Sequence, residues 1–152
     1  MKLSVLKTLS LWLSLLLAMA SMTVHAAEGS AKPFAEKHVV LQISDNDPFK
    51  QTLVLNVASN LIKYYGPDQV DVEIVAFGPG LRLLMADNAN APRIDSLVES
   101  ADVRFSACDN TFAKFTKNLG HAPDLNPHAV HVDAGVVRIL DLVDQGYTLV
   151  KP

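Results

Sequence analysis

Five short β-like runs, separated by stretches of helical spacing or by crossover loops, set the strongest limit on what this chain folds into. Strands joined through a helix do not pair as hairpins. They lie parallel in one sheet, with the connecting helices packed on its faces. The runs fall at 39–44, 70–77, 103–107, 130–132 and 147–150. The expected fold is therefore an α/β domain, three layers deep, around a mostly parallel five-stranded sheet.

The connecting segments carry their own stop and start signals. Asp47 can cap a helix with Pro48 at its first position, Leu53, Val54, Val57, Leu61 and Tyr65 recur on one face, and Gly66-Pro67 ends it. A short helix is expected at 81–87 and another is marked by Ile94, Leu97, Val98 and Ala101. Phe112, Phe115 and Leu119 share one face of the next, which Gly120 closes. A last helix, 134–145, would be capped by Asp133 and would turn Val136, Val137, Leu140 and Val143 to the core.

The first 26 residues belong to a different reading. Lys2 and Lys7 precede an apolar run over 9–20, and Val24 and Ala26 place small residues where a signal peptidase reads. The run is shorter than the ~20 residues a bilayer-spanning helix needs. A secretory signal peptide at 1–26, a flexible leader at 27–37 and one domain at 38–152 follow as expectations, with a periplasmic destination and no membrane segment after processing. Cleavage leaves 11 basic against 16 acidic residues, a net charge of −5. Without a basic cluster, such a chain is a poor partner for nucleic acid or anionic membranes.

Cys108 is the one cysteine, so no internal disulfide can form. It stands where the third strand gives way to a helix. There, unpaired N–H groups and the helix dipole favour thiolate over thiol, while the neighbouring Asp109 opposes it. A buried structural thiol is the competing reading. Asn110 and Thr111 begin the helix and can support the sulfur. His131 is a candidate proton partner if the fourth strand borders the third. His121, His128 and His131 with the thiolate make a conceivable soft-metal set, but two of them fall in a Pro-rich loop, so neither a metal nor a cofactor is expected. Gly78-Pro-Gly80 reads as a plain turn, and Asp45, Asn46 and Asp47 read as capping and turn residues. No G-x-S-x-G elbow, C-x-x-C pair, G-x-G-x-x-G or P-loop occurs.

The order of Phe77-Gly-Pro-Gly80, Val103-x-Phe-x-Ala-Cys108-x-Asn-Thr111, Gly135-Val-Val and Gln145-Gly-Tyr147 resembles the DsrE/DsrF-like family over residues 38–152. The resemblance implies a three-layer α/β/α domain that assembles into oligomers, commonly trimers or hexamers. It implies that Cys108 accepts sulfur as a persulfide, with a sulfur donor or acceptor protein as partner. A non-catalytic oligomeric binding module, with Cys108 merely packed in place, is the alternative class.

Overall fold

The computed structural model describes residues 32–152. The expected signal peptide and residues 27–31 of the expected leader lie outside the described residues. The elements run β1 (Lys37–Ile43), α1 (Pro48–Tyr65), β2 (Val70–Ala76), a 3-10 segment (Gly78–Leu84), α2 (Ala91–Ala101), β3 (Arg104–Cys108), α3 (Asp109–Leu119), β4 (Ala129–Val132), α4 (Gly135–Asp144) and β5 (Thr148–Val150). All four strand pairings are parallel, in the order β4-β3-β2-β1-β5.

That order decides where the helices go. From β1 to β4 each strand is laid beside the last in one direction, so the crossovers fall on one face of the sheet. The connection from β4 returns across the sheet to β5, and α4 covers the opposite face. On the first face Leu41, Ile74 and Phe105 are buried with Val54, Leu55, Leu81, Leu84 and Ile94. On the second, Val40 and Val75 meet Ile139, Leu142 and Tyr147.

Local signals set α1 as expected. Asp47 accepts the Phe49 N–H at 2.8 Å, Pro48 is the first helical residue, and Gly66 ends the helix with φ 93° while its N–H reaches the Ile62 carbonyl. Its buried face is shifted, however. Gln51, Val54, Leu55 and Ala58 are buried, whereas Leu53 is exposed. Apolar residues span adjacent stripes of this helix, and contact with the sheet selects the stripe centred on Val54 and Ala58.

Three further expectations change. The helix expected at 81–87 is a 3-10 segment that begins at Gly78 and ends at Leu84. Gly80 lets it press on β1, since a Cβ there would sit 2.3 Å from the Ile43 carbonyl oxygen. The cap of α4 is Ala134 without a side-chain bond, not Asp133. The expected core stripe of α4 is turned outward: Val136, Val137, Leu140 and Val143 are exposed, and Gly135, Ile139 and Leu142 are buried. Gly135 must meet Phe77 and Cys108, which fixes the rotation and sends the i+4 and i+7 positions to the sheet.

The second face also holds charge. Asp71 and Glu73 of β2, which alternate with Val72 and Ile74, are fully buried. Arg138 grips Glu73 with Nε to Oε1 at 2.7 Å and Nη2 to Oε2 at 2.9 Å, and the Ser106 hydroxyl donates to Oε1 at 2.6 Å. Arg104 donates to Asp71 at 2.9 Å and to the Tyr147 hydroxyl at 2.7 Å, and that hydroxyl donates to Asp71 at 2.5 Å. Two buried carboxylates thus meet two guanidinium groups, the condition under which burying charge is tolerable. The last residues of the expected leader are docked here too, with the Lys32 N–H donating to Asp71 at 2.9 Å.

Candidate functional site

β3 alternates Arg104, Ser106 and Cys108 toward α4 with Phe105 and Ala107 toward the opposite core, as a strand's period of two requires. Cys108 is the last residue of β3 and the N-cap of α3. It comes out at the C-terminal edge of a parallel sheet, beneath the first residue of α4. Two helix N-termini therefore converge on one sulfur.

Their donors are identifiable. Burial pushes the Cys108 thiol upward, but the Thr111 hydroxyl and the backbone N–H groups of Gly135, Thr111 and Asn110 near the sulfur outweigh it, leaving the thiol below its ordinary value, while Cys108 makes no side-chain cap hydrogen bond on α3. Thr111 is oriented for this work: its Oγ1 accepts the Gly78 N–H at 2.8 Å, which leaves its proton for the sulfur. Asn110 contributes through its backbone, its side chain being exposed. The sulfur stands near the first N–H of α4, which has no partner within the helix.

Gly135 is the site residue that the pattern of chemistry-bearing side chains does not single out. A Cβ on it would fall 2.9 Å from Cβ of Phe77 and 3.3 Å from Cβ of Cys108. Only glycine lets the α4 backbone come this close to the thiol. Gly78, with φ 54°, likewise belongs to the site through its bond to Thr111, so the Gly78-Pro-Gly80 turn does more than reverse the chain.

His131 takes a different role from the expected one. The fourth strand does border the third, but His131 pairs with Ala107 and Val132 with Cys108, so strand parity puts the imidazole on the face opposite the thiol. Its Nδ1 bonds the Asp109 carboxylate, and its ring stands edge-on to Phe112 at 5.0 Å. The carboxylate beside the thiol thereby has its own partner. His121 is exposed with its ring on the Ala122 carbonyl, and His128 faces Asp95 at 3.8 Å. Among the described residues no group of three His, Cys, Asp or Glu side chains is placed to hold a metal ion. Of the acidic turn, Asp47 caps α1 and Asp45 pairs with Lys50 at 2.8 Å, while Asn46 lines a cavity beside the site.

That cavity has a volume of about 500 Å³ and lies between the 3-10 segment and α3, with Phe77, Gly78, Asn110 and Thr111 in its wall. Thr111 is thus shared: its hydroxyl serves Cys108 and its side chain borders the cavity.

No family model and no curated protein matches the chain. Among solved structures, a protein of unknown function from Methanobacterium thermoautotrophicum is similar to it, at 26% identity and a TM-score of 0.67, over 76% of this chain and 99% of that one. The two share the α/β fold.

Proposed function

We propose that the protein is a periplasmic sulfur carrier in which Cys108 holds sulfane sulfur as a persulfide, as in the DsrE/DsrF-like proteins its sequence resembles. The observation that carries this reading is the place of Cys108, at the N-cap of α3 and against the first residue of α4, where a Cβ on Gly135 would stand 3.3 Å from that of Cys108. Such a cradle stabilises an anion on sulfur, which a carrier needs twice: as the thiolate that attacks and as the persulfide that waits. The N-terminal signal pattern supports export. Exposed Val136, Val137, Leu140 and Val143 on α4, with Leu149 and Val150 on β5, support assembly into a homo-oligomer, a trimer or hexamer by the resemblance.

A mass spectrum of the native protein, isolated without reductant and after exposure to inorganic polysulfide, tests it. The expected result is the added mass of sulfur on Cys108, removed by a reducing thiol and absent from Cys108→Ser. An unmodified Cys108 in both samples overturns it.

One observation favours a second reading. Cys108 is only 5% exposed, as a thiol that merely packs between two helix ends would be. The protein would then be an oligomeric binding module.

A further inference from the structure

The cavity bordered by Thr111 has a lining opposite in charge to the chain as a whole. The chain as a whole carries a net charge of −3. Yet Arg82 and Lys114 line the cavity and none of its lining residues is acidic. Lys114 is exposed and, among the described residues, has no ion-pair partner. Arg82 pairs with the exposed Asp87 at 3.8 Å and donates to the Met85 sulfur at 2.9 Å, both of them outside the cavity. Two cations on a cavity wall that carries no acidic residue favour an anion.

Size and lining narrow the class. At about 500 Å³ the space is in the range of sites for small organic molecules and far above the ~30 Å³ share of one water. An inorganic oxyanion would leave most of it unfilled. Phe77 and Phe115 give an apolar wall, and the side-chain amides of Asn46 and Asn118 offer both donors and acceptors, the complement of a peptide group. Thr111 closes the end nearest the thiol.

We infer that this cavity binds a small carboxylate-bearing peptide thiol, whose carboxylates meet Arg82 and Lys114 and whose sulfur lies at the Thr111 end, toward Cys108. The inference deepens the sulfur-carrier reading and rests on it, because it names the class of small donor. With the persulfide of such a thiol bound, Cys108 as thiolate attacks the outer sulfur of R–S–SH. A bond forms between Sγ and that sulfur and the R–S to S bond breaks. The electron pair leaves on RS⁻, and the proton stays on the transferred sulfur. No oxidant or reductant is needed.

The test uses S-methylglutathione, which has the carboxylates and peptide groups but cannot donate sulfur, titrated calorimetrically into the full-length mature protein. Saturable binding is expected, retained in Cys108→Ser. Arg82→Gln and Lys114→Gln should each weaken it by about tenfold, the loss of one charged hydrogen bond. Thiosulfate should not displace it. Absent binding, binding unchanged in both variants, or displacement by thiosulfate at equal concentration overturns the proposal. Lys114 lies on the surface, so its variant separates lost binding from lost folding. The two readings fail separately: sulfur uptake from polysulfide without binding overturns the cavity assignment alone, and binding without sulfur uptake overturns the carrier reading and the transfer step built on it.

Discussion

Gly135 and Cys108 meet across the C-terminal edge of the sheet, and a Cβ on residue 135 would stand 3.3 Å from that of Cys108. The first N–H of α4 is thereby delivered to the sulfur. Gly135→Ala should push α4 away from Phe77 and Cys108. The expected outcome is a loss of about 1 to 3 kcal/mol in stability from overpacking and a rise in the apparent pKa of the thiol. Denaturant unfolding measures the first effect and the pH dependence of alkylation the second.

Glu73 anchors the same helix one turn later, through Arg138. Arg104 Nη1 also stands 3.5 Å from Glu73, so Glu73→Gln places a neutral amide before two guanidinium groups and should lower stability by about 3 to 5 kcal/mol. Thermal unfolding reads this directly. A shift near zero would mean that the network is not a determinant of stability.

Tyr147 is pushed up to about 12 by burial and by its hydrogen bond to Asp71, with Arg104 pulling the other way. In the unfolded chain it titrates near 10. The folded state therefore holds this proton more tightly, and the resulting stability is complete below pH ~10 and lost as pH rises through about 12. In an ultraviolet phenolate titration of the folded protein, one of the three tyrosines should ionise only near pH 12.

The element order was legible in the chain because turn chemistry is local. Asp47, Pro48 and Gly66 bound α1 in the structure at the residues their capping roles imply. Helix faces were less legible. α4 is apolar on most of its circumference, and which side meets the sheet is set by Gly135 against Phe77, a contact between segments far apart in sequence. The same limit hid the site's second half. Cys108 at a strand-to-helix junction can be read from sequence, whereas the arrival of a second helix N-terminus depends on β4 returning across the sheet. The place of His131 is not legible because strand parity, not proximity in the strand order, decides which face it takes.

The outward stripe of α4 yields its own forecast. Leu140, 57% exposed, sits among Val136, Val137 and Val143. If this face joins copies of the chain, the mature protein is an oligomer by light scattering and Leu140→Glu is a folded monomer. An unchanged mass for that variant would move the interface elsewhere.

The sulfur-carrier proposal requires a Cys108 thiolate that is stabilised where it stands and that a reagent can reach, though the residue is only 5% exposed. The most direct test is the alkylation rate of the native protein as a function of pH, for the wild type and for Thr111→Val, which removes the hydroxyl donor while keeping the side-chain shape. The expected result is a single reactive thiol whose apparent pKa lies below that of a free thiol and moves upward in Thr111→Val. A wild-type thiol slower than a free model thiol at every pH, and reactive only after unfolding, would contradict it.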